Sequence, residues 1–324
     1  MASGQSTADR KVSLPIGIVS ALACLLIVIV RGGNPVAIKV VLRSLSPMQG
    51  AFSRVAIACG GVGIFAGSRG VELWPKRSEL SALTLLSFVY ALQIGSIQAG
   101  ADYTSPVLVA VLFNTYPIIG NLLSSLVVPE DRLSLRRIAG LAVAFAGVVW
   151  IFQSRTESAL APNPLLGNSL VLFGATLLAA RTVYVRQLVL KVDYVKAVFW
   201  PMLGSLPLFL LGGALLPDAA PRADPDWTIW LALLFQGVVV GGVGQLAWVY
   251  LIRRHTPGTV IAFSFLTPIS GLVLTSMYFQ EPVPSTLLLG FSAVLGGIAL
   301  AARRATPLPT PERPTPPRGF GGSA

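Results

Sequence analysis

Four cations of this chain stand in sequence apolar enough to be surrounded by hydrocarbon: Arg31, Lys39, Arg54 and Arg181. A charge there costs at least ~2.5 kcal/mol on insertion scales, so it normally faces water, a partner or a ligand. Arg31 has seventeen residues, 14–30, behind it in its apolar run, too many for its side chain to reach that surface. With Pro35 and Lys39 it falls at i, i+4 and i+8, one helical stripe drifting by about 40° per step. A guanidinium holds a planar carboxylate through two parallel hydrogen bonds, a geometry that an ammonium lacks. The chemistry on offer is recognition of an anion rather than bond-making. Arg181, with Arg186 nearer the surface, either joins that recognition or snorkels outward. Lys39 has Asp102 as a candidate partner, and Arg54 has backbone carbonyls at a helix end.

Other residues supply polar contacts or bends. Asn34 lies between Gly33 and Pro35, where a flexible residue and a missing N–H leave carbonyls available. Pro117 and Pro268 interrupt two further runs at equivalent depth, flanked by Asn114, Thr115 and Tyr116 and by Ser264 and Thr267. Matched interruptions in two halves point to a central binding site, with Gly33, Pro35, Pro117 and Pro268 as its hinges. Gln93 and Gln245 fall at similar depth and are read as cavity donors or interhelical bridges. Trp248 sits toward a helix end and is read as an interfacial anchor. Glu130 and Glu281 end helices and are read as capping or pairing charges, with Ser134 and Ser285 as N-caps of the helices that follow.

Catalytic constellations lack their parts. The sole histidine, His255, lies in a basic loop, and no carboxylate lies deep in any apolar run. Metal, Ser-His-Asp and paired-carboxylate mechanisms are therefore not expected. Neither a catalytic residue nor a cofactor is implied, and there is no P-loop. Cys24 and Cys59 both fall in apolar runs and are read as packing residues.

The elements that must position these residues follow from composition. The 324-residue chain is 54% hydrophobic and 11% charged, too apolar for a soluble globule. A helix crossing about 30 Å of hydrocarbon needs ~20 mostly apolar residues. Ten such runs are predicted, near 14–38, 48–66, 80–99, 104–128, 135–152, 165–185, 197–216, 227–251, 256–279 and 286–302. The first run is too long for a signal peptide and is expected to be retained.

Residues 105–130 recur 151 positions later as 256–281, with eight of 26 pairs identical, Pro117/Pro268 and Glu130/Glu281 among them. Under alternate assignment of loops, one side carries 17 Lys and Arg and the other three, Arg43, Arg155 and Arg222. The net charge of +11 is thus a topology signal rather than a nucleic-acid one, and it places both termini in the cytoplasm. Five helices per repeat force the second repeat to be inverted. The expected organisation is a cytoplasmic tail over 1–13, a first repeat over 14–152, a second over 165–302, and a Pro-rich disordered tail over 303–324.

The string Gly32-Gly33-Asn34-Pro35-Val36-Ala37-Ile38-Lys39, followed by Leu45-Ser46-Pro47 and Arg54, resembles the opening of an EamA domain of the drug/metabolite transporter superfamily. So do Tyr103-Thr104-Ser105, Tyr116-Pro117, Pro129-Glu130, Leu133-Ser134 and Gly140. The second half is similar to the same pattern at residues 250–254, Thr267-Pro268, Glu281-Pro282 and Gly297. One departure is Arg31, where members commonly carry Trp. The resemblance implies an all-α, ten-helix carrier of the inner membrane, most often an exporter of amino acids or other small metabolites. The alternatives are a lipid or lipid-linked translocase and a small multi-span membrane enzyme. The expected partners are a small anionic substrate and the lipid bilayer. Gly140, Ala144, Gly147 and Gly290, Ala293, Gly296, Gly297 suit close helix packing, within the chain or in a homodimer through the fifth and tenth helices.

Topology has a direct test. Cysteines introduced at Ser154 and Ala220 are expected to react with an impermeant maleimide in intact cells, and those at Ser134 and Ala305 only after permeabilisation. Equal labelling of all four in intact cells would overturn the arrangement.

Overall fold

The computed structural model describes residues 18–116, 119–120, 122–123, 135–153, 161–189, 191–215, 222–254 and 266–302. Among these residues the backbone is helix and turn, with no strand. In hydrocarbon every backbone N–H must find its carbonyl within its own segment, and helices achieve this. Among the described residues six helical spans are long and apolar enough to cross a membrane, and shorter apolar helices accompany them.

The first span is two helices, α1 (Ile18–Gly32) and α2 (Asn34–Val41). Pro35, in the first turn of α2, has no N–H for the Arg31 carbonyl. Gly33 bridges the gap by donating to Ile29 O at 3.3 Å and Val30 O at 3.1 Å. α3 (Pro47–Ser68) opens on a capping box: Gln49 N–H donates to Ser46 Oγ at 3.2 Å and Ser46 N–H to Gln49 Oε1 at 3.0 Å. α4 (Arg77–Tyr103) follows, its first-turn Glu79 accepting from Lys76 N–H at 2.9 Å and pairing with Lys196 at 3.6 Å.

The fourth run breaks before Pro117, the interruption expected from the sequence. α5 (Pro106–Phe113) ends at Asn114 and Thr115, and helical backbone resumes at Tyr116. Asn114 Nδ2 donates to Ala110 O at 2.6 Å and Thr115 Oγ1 to Leu112 O at 2.7 Å, so local side chains satisfy the carbonyls released there. The first-half series closes with α6 (Leu135–Gln153).

α7 (Pro164–Leu188) and α8 (Tyr194–Leu215) follow, the latter continuous through Pro201 and Pro207. α9 (Trp227–Leu234) is capped by Asp226, which accepts from Thr228 N–H at 2.9 Å and Ile229 N–H at 3.3 Å. The Thr228 hydroxyl, with those two amides, holds the Asp226 carboxyl below the usual carboxylate range. α9 runs directly into nine residues of π-helix, Phe235–Val243, and then into α10 (Gly244–Arg254). α11 (Leu266–Phe279) and α12 (Ser285–Ala302) complete the set. Ser285 is a residue of α12 rather than its cap. The Pro284 carbonyl stands at that position and accepts from Leu287 and Leu288 N–H.

Small residues let helix axes approach where apolar burial cannot drive association. α6 lies against α12 backbone to backbone: a Cβ built on Gly147 would come within 2.6 Å of Gly290 O, and one on Gly297 within 2.5 Å of Gly140 O. The glycine faces of the fifth and tenth runs thus meet within one chain. α4 and α7 cross in the same way at Gly100 and Gly167, where Thr104 Oγ1 also meets Asn168 Oδ1 at 2.6 Å. Outward, the helices present large apolar side chains such as Phe145, Leu165, Leu210 and Leu289, a surface made for lipid tails rather than water.

Two glycines of this packed pair separate contact from composition. Gly147→Val is expected to lower the melting temperature in detergent by several degrees, since overpacking costs about 1–3 kcal/mol. Gly296 has nothing within 4 Å of a built Cβ. Gly296→Ala is expected to leave the melting temperature unchanged or slightly raised. Equal losses in the two variants would refute the packing described.

Candidate functional site

Arg31 lies midway along the first span, in the last turn of α1 and two residues before the break at Gly33. Its Nη2 donates to Gln245 Oε1 at 2.8 Å, and its guanidinium carbon stands 5.0 Å from the centroid of the Trp248 ring. Gln245 and Trp248 are i and i+3 on α10, immediately after the π-helical segment, so they share a face. Tyr116 lies near enough to act on Arg31 electrostatically. The π segment therefore delivers the contacts that meet Arg31, a placement typical of such segments at functional sites.

A second cation is held alike. Arg181, on α7, stacks on the ring of Tyr90, midway along α4, at 4.8 Å from its centroid. Arg181 Nε is buried and meets no acceptor. Arg54, itself buried, acts on the same tyrosine and has no hydrogen-bond acceptor among the described residues, so the expected carbonyl partners are not found. Arg181 also lies within the field of Arg31, so the two cations repel.

Cation–π contacts are worth up to about 2 kcal/mol when desolvated, against several for burying an ion. The aromatic rings orient these guanidinium groups without neutralising them. Every described acid lies in a connection between helices or in a terminal turn of a helix, so no described carboxylate neutralises them either. Most N–H donors of Arg31 and Arg181 remain for something else. One turn further along from Arg31 and from Tyr90 are Asn34 and Gln93, whose Oδ1 and Oε1 are buried without donors.

The structure thus brings Arg31, Gln245 and Tyr116 together, with Arg181 alongside. Asn114 spends its amide on its own helix. Thr267 is half-buried in the first turn of α11, and its carbonyl accepts from Ser270 Oγ at 3.0 Å. Pro268 is buried in that same turn, while Ser264 and Pro117 lie outside the described residues. Gly32 touches α11 beside the break in the first span: a Cβ there would come 2.8 Å from Gly271 N. Sequence reasoning missed Tyr90 and took Trp248 for an interfacial anchor. The available signal was an aromatic residue halfway along an apolar run, where a hydroxyl needs a reason to be.

A second polar layer closes the ends of α2 and α4. Arg222 donates to both carboxylate oxygens of Asp102, at 2.9 and 3.3 Å, and to Leu42 O at 2.6 Å. Ala223 N–H donates to Arg43 O at 3.1 Å. Lys39 is buried in the fields of Asp102 and Glu281. Glu281 Oε2 accepts from Val107 N–H at 3.4 Å, at the positive end of α5, so it serves a helix of the other half. No group of histidine, cysteine and acid side chains among the described residues has the makings of a metal site.

Residues 18–153 and again 165–303 match the EamA-like transporter family. An uncharacterized transporter of Archaeoglobus fulgidus is 27% identical over 271 residues, which cover 83% of this chain and 93% of that one. A probable amino-acid metabolite efflux pump of Escherichia coli K12 is 24% identical over 281 residues, covering 85% and 91%. A solved crystal structure at 17% identity shares the fold, with a TM-score of 0.63 over 87% of this chain and 95% of its own. Matched twice along nearly all of its apolar length, this multi-pass membrane chain belongs to the EamA-like transporter family.

Proposed function

We propose that the chain is a secondary transporter of the inner membrane that exports small metabolites bearing an anionic group, amino acids among them. The observation that carries this reading is the pair of guanidinium groups within the spans, Arg31 and Arg181, oriented by aromatic rings and unneutralised by any described acid. The name of the Escherichia coli relative agrees with such a cargo.

Transport follows from alternating access. Two inverted five-helix halves, ten helices in all, rock about the site, with Gly33, Pro35, Pro117 and Pro268 supplying bends. Both termini lie in the cytoplasm, which puts Arg222, Asp102 and the end of α2 on the outer side. There the Arg222 contacts join the two halves, so outward opening must break them. With no acid among the described mid-span residues to carry a proton, movement proceeds by facilitated diffusion or exchange.

Purified protein in liposomes tests this. Counterflow of an amino acid or related carboxylate, without scrambling of labelled lipid, is the expected result; lipid scrambling alone would replace the carrier by a translocase. Arg31→Lys keeps the charge but loses the two-pronged geometry. It is expected to weaken the carboxylate compound about tenfold while its amide analogue changes little. A variant that handles both compounds as the parent does would make Arg31 structural.

A further inference from the structure

Arg31 and Arg181 approach from different halves of the sequence and repel each other. Of their hydrogen bonds to described residues, one is found, from Arg31 to the neutral amide of Gln245. Arg181 Nε is buried without an acceptor, and Arg54 adds a third positive charge beyond Tyr90. A single carboxylate would leave most of this charge uncompensated. One carboxylate for each guanidinium fork would satisfy both forks and turn the mutual repulsion into a two-ended clamp.

We propose that the preferred cargo is a small dicarboxylate, one end held by Arg31 and the other by Arg181. This rests on the carrier reading above and narrows its substrate class. The rings of Trp248 and Tyr90 lie under the guanidinium groups and fix their planes, so the separation of the two forks selects the length of the dianion. Asn34 Oδ1 and Gln93 Oε1, acceptors one turn away, match an ammonium on the cargo. Two sources of one chemistry are therefore open: acidic amino acids, and dicarboxylic acids without nitrogen.

The test uses the full chain in liposomes loaded with labelled glutamate or labelled glutarate. These share the spacing of their carboxylates and differ in the ammonium. Glutamine, the mono-amide of glutamate, is the competitor that has lost one charge. Glutamate is expected to compete at least thirtyfold better than glutamine. Arg181→Gln is expected to bring that ratio close to one, and Arg181→Lys to retain part of it, with size-exclusion profiles confirming that each variant is folded. Glutarate matching glutamate assigns the site to dicarboxylates in general; glutarate tenfold weaker assigns it to acidic amino acids. Glutamine competing as well as glutamate in the parent, or a ratio that Arg181→Gln leaves intact, would overturn the proposal. Counterflow of monocarboxylates with no dicarboxylate preference defeats this inference alone. Absence of counterflow with mono- and dicarboxylates alike defeats the carrier reading.

Discussion

A guanidinium cannot shed its charge, and hydrocarbon cannot solvate it. That pair of facts governs how this chain is built around Arg31. The residue sits too far along its helix to reach either surface, so the protein brings polar and aromatic groups to it: Gln245 and Trp248 from α10, Tyr116 from beyond the break in the fourth run. The same demand recurs at Arg181 and is met by Tyr90. Since no described carboxylate performs the neutralisation, the described residues leave the site a standing positive potential that a bound anion would relieve.

The helices carrying these groups are held in two different manners. α6 with α12, and α4 with α7, which carry Tyr90 and Arg181, close backbone to backbone through glycine. Near the site the backbone is irregular: the first span breaks at Gly33, α5 stops at Asn114, and a π segment precedes α10. Irregular backbone at membrane depth is tolerated where it is buried in protein or lines a polar cavity. Rigid pairs flanking loosened helices give a scaffold in which the centre moves while its walls keep their partners.

Much of this was legible in the residues. Hydropathy gave the all-helical membrane class because spanning length is set by bilayer thickness. Charge inside an apolar run singled out Arg31 and Arg181, and Gly33 with Pro35 announced the break in the first span. Gln245 was visible by depth, but its partnership with Arg31 was not, because a contact over 214 positions depends on how helices pack. Trp248 misled because aromatic residues near helix ends usually mark the interface. The π segment left no trace in periodicity, since nine residues rich in valine and glycine present an apolar surface at any winding. Glu281 was legible as a capping or pairing charge, but the helix its carboxylate serves, α5, was not, since only the folded proximity of the two segments provides it.

The π segment has a consequence for how this site is set. Each π turn takes one more residue to close than an α turn, so the stretch 235–243 shifts the angular setting of everything after it. Gln245 and Trp248 point at Arg31 in that shifted setting. Loss of a single residue among 238–240 would turn the helix beyond it by about 100° and swing both side chains onto another face. The residues around Arg31 would survive while their pairing was lost. The setting of this site thus depends on the length of a stretch whose own side chains make no hydrogen bond to Arg31.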